Sequence, residues 1–367
     1  MFFIRKGIIS TVLLLFALTS ELFADGSIYS LRGQGLLLYF QGGRATGMGG
    51  ATLGVSDPLQ LNWFNPASLA MIDRVRFSAQ FLHQNLDIQD QDVNYKTNYT
   101  NFNGFYAGFS VASGVGLGFG LQPISKINYT FESRAEIDNF DYTRTIQRLG
   151  GLNRAYVVTG VKIFSGLQLG VNFGYVFGKS DENWRVDYVD PSFAFTLDQF
   201  RNKYKGLSAR LGTVLNPAKG LSIGGVFETK YDLTRNSEFI HVRPRTVTTS
   251  SSKLDVPALW GVGIAYSYKE KFLWAADFVT QDWQGYATGE SDNASEFTQY
   301  QRLSLGFEFQ PSVERSAKSW KTGQYRLGFA WEQPHILDYS GETLSTLLLT
   351  AGIGFPFGGG SGSFDFA

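Results

Sequence analysis

Several stretches of the chain alternate strictly between large apolar side chains and small or polar ones. In residues 167–177, one face of the expected strand carries Leu167, Leu169, Val171, Phe173, Tyr175 and Phe177, and the other carries Gln168, Gly170, Asn172 and Gly174. Residues 260–268, 303–310 and 325–332 repeat this pattern. A soluble sandwich would turn Lys, Glu and Thr outward, opposite its apolar face. The aromatic outer rows therefore predict an all-β fold, a transmembrane antiparallel β-barrel with lipid outside and a polar interior.

One strand of this kind is unusually rich in glycine. Residues 111–122, VASGVGLGFGLQ, place Gly114, Gly116, Gly118 and Gly120 opposite Val115, Leu117, Phe119 and Leu121. A phosphate loop would need a Lys-Ser/Thr pair and a following helix, and the sequence offers neither. Glycine weakens a strand but allows another backbone to come close. We therefore expect the four glycines to face the lumen and to seat an internal plug, or to mark a weak point in the wall beside it.

The predicted connections alternate between long and short, as in outer-membrane barrels with short periplasmic turns and longer extracellular loops. The short ones are 112–114, 165–166, 216–220, 269–271 and 358–362; the long ones are 85–101, 124–152, 179–203, 232–257 and 283–300; 311–322 and 333–343 are intermediate. This pattern gives twelve full strands and the start of a thirteenth at 363–367. Closed bacterial barrels have an even number of strands, so we expect the sequence to be truncated at Ala367.

The N-terminus has the three parts of a secretory signal. Arg5 and Lys6 precede an apolar run at residues 7–19, and Leu22 and Ala24 occupy the −3 and −1 positions of a cleavage site. We therefore predict a signal peptide at 1–24, with a retained anchor helix as the less favoured alternative. The chain has no cysteine, and its 32 basic residues balance 32 acidic ones. These counts exclude disulfide stapling and a net field that would attract nucleic acid.

Residues 25–72 do not alternate and are rich in turn chemistry. Glycines cluster at 42–50, and Asp57-Pro58 and Asn65-Pro66 mark turns. A compact irregular unit that precedes the first strand can fold back into the lumen. We therefore predict a hatch at 25–72, which plugs a barrel formed by 73–367.

The hatch sequence resembles the long-chain fatty acid transporter family of outer-membrane proteins (FadL, OMPP1 and TodX-like). The matching positions are Gly43, Arg44, Ala45, Gly49, Gly50, Ala51, Asn65, Pro66, Ala67, Asp73 and Arg74. A second similarity, to a strand with Pro-x-x-x-Gly-x-Gly and a hairpin ending in Trp, involves Pro257, Gly261, Gly263 and Trp283. The resemblance implies a 14-stranded barrel, of which 12–13 strands are present, in the outer membrane of a Gram-negative cell.

The resemblance also implies a function, passive uptake of long-chain fatty acids or aromatic hydrocarbons. A ligand would enter from outside, meet an apolar pocket above the hatch and leave through the barrel wall into lipid. The hatch is similar as well to the PorV-like branch, which implies the alternative of a component of a type IX protein secretion system with protein partners. A purely structural or adhesive barrel is a third alternative.

Strand parity places several charges on the lumen face: Lys162, Arg210, Glu228, Lys230, Asp277, Glu308, Arg326 and Glu332. They either pair across the lumen and hold the hatch, or Arg210 or Arg326 attracts a ligand carboxylate, and the two roles are compatible. Asn65 to Ala67 either forms a plain turn or fixes the fold of the hatch. A predicted extracellular loop contains Phe193, Phe195 and Phe200. Three roles are open for them: a landing patch for ligand, packing against neighbouring loops, or membership of the aromatic girdle.

Catalytic chemistry has little support in the sequence. The three histidines, His83, His241 and His335, lack metal-ligand spacing and are expected at solvated strand ends or in loops. No Gly-x-Ser-x-Gly elbow occurs, which leaves an outer-membrane lipase or protease as a weak alternative. We therefore predict a protein that is not an enzyme and uses no cofactor or metal.

Overall fold

The computed structural model describes residues 30, 33–39, 42–89, 94–137, 140–190, 192–242, 245–286, 296–312, 319–338, 340–357 and 362–367. The predicted signal peptide at 1–24 lies outside these residues. None of the helices in the described ranges is long and apolar enough to cross a membrane. Almost all of the regular structure is strand.

Seventeen strands follow one another along the described chain: β1 Leu36–Leu37, β2 Arg76–Gln89, β3 Asn94–Ala112, β4 Val115–Pro123, β5 Ser125–Ile137, β6 Phe140–Phe164, β7 Leu167–Tyr188, β8 Thr196–Ala218, β9 Leu221–Glu228, β10 Tyr231–Val242, β11 Arg245–Val256, β12 Leu259–Tyr268, β13 Phe272–Asp282, β14 Gln299–Phe309, β15 Gln324–Gln333, β16 Thr346–Phe357 and β17 Gly362–Phe366. Three short helices accompany them: α1 Gly43–Gly47, a 3₁₀ helix Pro66–Met71 and α2 Ser319–Thr322.

Antiparallel pairing joins these strands into a nearly closed barrel. The ladder runs from β2 through β3, β4, β6, β7, β8, β9, β12, β13, β14, β15 and β16 to β17. β5 continues the line of β4 along β6, β10 continues β9 along β8, and β11 pairs with β10 above β12. The described part of the wall therefore has thirteen strand positions, in agreement with the prediction of twelve strands and the start of another.

The two faces of the wall differ as the alternation predicts. Phe173 and Tyr175 of β7 are exposed on the outer face, whereas Gln168 and Asn172 are buried inside. β12 shows the same strict alternation along its whole length. Because the exposed rows are aromatic and aliphatic, the outer face is suited to hydrocarbon. The all-β fold predicted from the sequence, a transmembrane antiparallel β-barrel, is confirmed.

The predicted turns are accurate at one end of the barrel, and the predicted loops at the other end are partly wrong. Strands end and begin on either side of 113–114, 165–166, 219–220 and 269–271, as expected. Residues 124–152, 179–203 and 232–257, however, are mostly strand, and they form the long hairpins β5–β6, β7–β8 and β10–β11. The prediction failed there because these outer strands carry mostly polar residues on their outer face and so lack the outward apolar rows.

Residues 42–72, which we call the hatch, lie inside the barrel. α1 packs against β15, β16 and β17, and the 3₁₀ helix packs against β4, β6, β7 and β8. The hatch therefore crosses the lumen from one wall to the other. Residues 33–39, which we call the N-terminal segment, lie beside β5, where Leu36 pairs with Lys126 and Leu37 with Ser125.

Candidate functional site: the plugged lumen

A belt of glycines surrounds the hatch. In the described strands, ten different strands turn a glycine toward it: Gly108, Gly116, Gly160, Gly170, Gly212, Gly224, Gly263, Gly306, Gly328 and Gly352. A Cβ on Gly160 would lie 2.6 Å from the amide nitrogen of Ala70, and one on Gly306 would lie 2.7 Å from the carbonyl oxygen of Met48. No side chain fits at these distances, so the belt brings the hatch backbone directly against the wall.

The glycine-rich strand takes part in this belt in a specific way. Gly116 lies against the carbonyl group of Leu69 and Gly118 against the ring of Trp63, while Gly120 faces Tyr106 and Tyr156. Gly114 differs from the expectation, because it lies in the turn itself with a positive φ of 76° beside Lys162. The run thus combines one turn residue with three positions that receive the hatch or the aromatic side chains beside it.

Asn65 fixes the centre of the hatch. Its Nδ2 donates to the carbonyl oxygens of Leu53 (2.8 Å) and of Thr213 on β8 (3.0 Å), and its Oδ1 accepts from the amide of Ala67 (3.1 Å). Pro66 begins the 3₁₀ helix at a position where no amide hydrogen is needed. Asn65 therefore caps this helix, joins two parts of the hatch and ties both to the wall.

Arg44 anchors the other side of the hatch. Its guanidinium donates to both carboxylate oxygens of Glu308 (3.0 and 2.7 Å) and to Asp57 (2.7 Å). Arg326 shares Glu308 at 2.6 Å and contacts Asp365 of β17 at 2.5 Å. Arg326 is thus saturated by carboxylates of the wall, which fits the structural role foreseen for the lumen charges.

The backbone between these anchors is held by a carboxylate. Oδ2 of Asp277, on β13, accepts from the amides of Thr52 (2.5 Å) and Leu53 (2.7 Å). Asp277 is 2% exposed, so these hydrogen bonds are shielded from water. Gly49, Gly50 and Ala51 belong to the adjoining turn, in which Gly49 and Gly50 both have positive φ.

Above the hatch the lumen is filled by an apolar cluster of the chain's own side chains. Its buried members are Leu53, Phe64, Leu152, Val176, Tyr204, Val226, Leu233, Leu254, Val256, Leu259, Val279, Trp283, Tyr286, Phe297, Tyr300 and Ile336. The N-terminal segment contributes Leu36, Leu37 and Tyr39 to it. Tyr39 stacks on Tyr300 with ring centroids 4.0 Å apart, and its hydroxyl donates to Gln281. The segment therefore occupies the apolar chamber.

A small cavity of about 40 Å³ lies beside the N-terminal segment, between Leu37 and a buried charge cluster. In this cluster Arg154 and Arg210 both bind Glu228, with Nε of Arg210 at 2.8 Å and Nη1 of Arg154 at 3.1 Å. Two cations face one carboxylate, so the cluster carries an excess positive charge. The volume suffices for a water molecule or a carboxylate group but not for an acyl chain.

The extracellular end of the chamber is covered by residues 296–298 and 334–338, which we call the lid. Phe297 bridges to Ile336, and the amide of Thr298 donates to the carbonyl oxygen of His335 at 2.8 Å. The His335 ring packs against Trp283 at 5.0 Å and is 3% exposed. Burial lowers the pKa of His335 to about 3. The prediction that all three histidines are solvated is therefore wrong for His335.

The wall has a notch next to the N-terminal segment. β3 pairs with β4 only as far as Phe105 and Leu121, and above that level no ladder joins β3 to β5 in the described residues. Gly104 has a φ of 134° at the bulge where β3 changes register against β2. Part of the free edge of β5 is covered instead by Leu36 and Leu37 of β1.

Other predicted site residues lie elsewhere. Lys162 lies opposite the buried Gln168, on the lumen face that parity predicted, but it is exposed at the end of its strand. Lys230 is exposed and pairs with Asp255 at 2.8 Å, so it does not line the lumen as parity suggested. Phe193 contacts Tyr188, and the guanidinium of Arg185 covers the ring of Phe195 at 4.7 Å, so both phenylalanines pack within the β7–β8 hairpin. Parity failed for Lys230 because the line of β9 and β10 breaks beside it.

Sequence reasoning missed Arg154 and the N-terminal segment. The signals were present as a polar residue at a lumen-facing position of β6 and as the apolar run 36–38 ahead of the hatch. Neither signal specifies its partner, because Glu228 is far away along the chain and a three-residue apolar run has no readable period.

The fold is that of the FadL-type outer-membrane barrels. The match to the structure of the Ralstonia pickettii toluene transporter TbuX covers 88% of this chain and 90% of the transporter, with a TM-score of 0.53 and 14% identity. The match to a Pseudomonas aeruginosa FadL homologue covers 88% of this chain and 87% of the homologue, with a TM-score of 0.57 and 12% identity. The match to the Pseudomonas putida toluene transporter TodX covers 87% of this chain and 89% of the transporter, with a TM-score of 0.54 and 15% identity. At such identities these similarities establish the fold. No curated protein matches the sequence significantly.

Within this class, a family model narrows the assignment. The model described as BamG matches residues 3–366, which is nearly the whole chain. The chain belongs to the BamG family.

Proposed function

We propose that this protein lets hydrophobic small molecules, long-chain fatty acids or aromatic hydrocarbons, cross the outer membrane without catalysis. The observation that carries the proposal is the apolar chamber, which the N-terminal segment fills beside a notch in the wall. The chamber walls are parts of long, continuously paired strands, whereas the N-terminal segment is held by the two-residue pairing of β1, one hydrogen bond from the Leu38 amide to Ile124 and the side-chain contacts of Tyr39. A ligand that replaced Leu36, Leu37 and Tyr39 would find an apolar site already formed.

The notch gives such a ligand a way out. Leu121 lies about 15 Å above Val115 along the barrel axis, at ~3.3 Å per residue and a tilt of about 40°. The lower end of the notch is therefore within the height of the hydrocarbon layer. For a hydrophobic molecule, passing from the chamber directly into lipid is favourable, because its apolar surface is never exposed to an aqueous pore. Displacement of β1 from the edge of β5 opens this route.

The charge cluster gives the site a preference for acids. In the proposal, the excess positive charge of Arg154 and Arg210 receives a ligand carboxylate in the small cavity, while the acyl chain takes the place of the N-terminal segment. Of the two arginines singled out in the sequence, Arg210 keeps this role. Arg326 does not, because Glu308 and Asp365 already satisfy it.

The proposal is tested by locking β1 in place. The chain has no cysteine, so the double variant Leu36→Cys/Lys126→Cys can form one defined disulfide between paired residues. We expect uptake of radiolabelled oleate and toluene by cells or proteoliposomes to stop when this variant is oxidised and to resume on reduction. The matched control, Thr234→Cys/Lys253→Cys, joins partners in the β10–β11 hairpin and should transport in both states.

Two results would contradict the proposal. Transport that continues through the oxidised Leu36–Lys126 pair would show that the N-terminal segment does not close the route. Purified protein that binds neither oleate nor toluene would exclude the function itself. For the acid preference, Arg154→Gln should weaken oleate binding about tenfold, the loss of one charge-assisted contact, and leave toluene binding unchanged.

A further inference from the structure

A group of basic side chains stands on the outer face of the barrel, immediately above the apolar belt. Lys179 of β7 lies directly opposite Lys203 of β8, and Lys205 of β8 lies opposite Phe177. Arg201 follows on the same face of β8. Lys179 and Lys203 are 72% and 71% exposed. We call Lys179, Arg201, Lys203 and Lys205 the basic patch.

The height of the patch coincides with the edge of the hydrocarbon layer. From Leu167 to Phe177 the strand rises about 25 Å along the barrel axis, at ~3.3 Å per residue and a tilt of about 40°, which is the usual height of the apolar belt. On β8 the outward residue just below Lys205 is Leu207, which is 73% exposed. The lysines thus begin where the lipid-facing rows end. Their stems can lie along the apolar belt while the ammonium groups reach the headgroup layer.

The patch is not neutralised by its surroundings. Like charges directly opposite on neighbouring strands, such as Lys179 and Lys203, destabilise a sheet. The nearby acids offset this only in part: Asp181 is 3.2 Å from Nζ of Lys179, and Glu238 is 3.9 Å from Nζ of Lys203. Arg201 lies directly opposite Asp181 and Glu238, but its guanidinium donates to the amide oxygen of Gln199. Lys205 has no ion pair within the described part of the chain. An external anion would therefore relieve the repulsion.

The opposite side of the barrel lacks this feature. On β13 the apolar rows end at Asp282, and on β16 they begin after Ser345. Neither residue carries positive charge. A basic group of this kind is therefore absent at the corresponding ends of β13 and β16.

From this placement we propose that the basic patch binds the phosphorylated headgroup of an outer-leaflet lipid, whose acyl chains lie against Tyr175, Phe177 and Leu207. The occupant follows from charge complementarity and from continuity with the lipid-facing surface. A phosphate group fits because several lysine and arginine side chains converge from two adjacent strands. The lipid would hold this wall at a fixed depth while the long β5–β6, β7–β8 and β10–β11 hairpins project outside.

The test uses purified protein in detergent, with diphosphoryl lipid A as the probe and native mass spectrometry to count bound lipid. We expect the wild type to retain lipid A and Lys203→Gln/Lys205→Gln to bind it at least fivefold more weakly, whereas Lys203→Arg/Lys205→Arg binds normally. The matched control, Lys219→Gln/Lys271→Gln, removes two charges at the periplasmic turns and should bind as the wild type does. An unheated band on gels that migrates faster than the heated, unfolded chain verifies that each variant is folded.

Two outcomes would overturn the proposal. Equal lipid A binding by the wild type and by Lys203→Gln/Lys205→Gln would show that the patch takes no part. Displacement of bound lipid A by inorganic phosphate at millimolar concentration would show that the site takes a free anion and not a lipid. Both readouts are independent of fatty acid or hydrocarbon transport, so they separate this inference from the proposed function.

Discussion

Gly160 of β6 and Ala70 of the 3₁₀ helix approach so closely that a Cβ on the glycine would lie 2.6 Å from the alanine amide nitrogen. Nine other strands of the described wall also place a glycine against the hatch. The belt makes the hatch part of the barrel interior, with backbone in contact with backbone. Replacement of any of these glycines by a larger residue must push the hatch and the wall apart.

The first prediction concerns this belt. Gly160→Val should shift the 3₁₀ helix and speed hydrogen exchange at residues 66–71 by at least tenfold, because neither backbone has room to yield. Gly225→Val is the matched control, since a Cβ there meets only the methyl group of Thr213 at 3.1 Å. Exchange is followed by mass spectrometry. Equal protection of the hatch in both variants would show that the belt does not hold it.

The strands of the wall could be predicted from the sequence, whereas the segments that fill the lumen could be predicted only in part. Alternation along β7 gives the strand, its faces and its turn, because lipid imposes one simple rule on every outward position. The glycines of β4 indicated that something comes close but not which segment. The pairing of Arg154 with Glu228 is set by the curvature of the wall, which strand parity does not contain.

The N-terminal segment illustrates the same limit. Leu36 and Leu37 lie in the chamber because β5 has a free edge at the notch, and that edge exists only because β3 stops pairing at Phe105. The sequence marks the place with Gly104, but a single glycine in a strand is compatible with a bulge, a bend or a close approach. The occupant of the edge thus depends on tertiary structure.

The second prediction concerns Asn65. Asn65→Ala removes both carbonyl contacts and the cap on Ala67, which leaves buried polar groups unpaired and should lower the free energy of local hatch opening by about 3 kcal/mol. The measurement is native-state hydrogen exchange of Ala67 and its neighbours. Asn98→Ala, at an exposed position of β3, is the control and should leave exchange in the hatch unchanged. Unaltered protection in Asn65→Ala would assign the residue to a plain turn.

The third prediction concerns the carboxylate shared by Arg44 and Arg326. Glu308→Gln leaves two buried guanidinium groups without their common partner, so the α1 side of the hatch should detach more often. In planar bilayers we expect transient conductance steps that the wild type lacks. Glu270→Gln, in an exposed periplasmic turn, removes the same charge and should stay silent. If Glu308→Gln also shows no conductance steps, Asp57 and the glycine belt hold α1 in place without the Glu308 carboxylate.

The fourth prediction follows from the burial of His335 in the lid. Its pKa is about 3 in the folded protein and 6.5 in an opened, solvated lid, so the opened lid binds the proton more strongly. Lid stability is therefore complete above pH 6.5 and falls as the pH decreases toward 3. At pH 5 the free energy of lid opening should be lower by about 2 kcal/mol than at pH 8.

This loss is measured as faster hydrogen exchange at residues 334–338, corrected for the intrinsic pH dependence of exchange. The comparison with His335→Phe decides whether the change reports on this histidine. His335→Phe keeps the ring packed against Trp283 and Phe297 and should abolish the pH dependence. His83→Gln, at an exposed position on β2, should preserve it. A pH dependence that survives in His335→Phe would place the titrating group elsewhere.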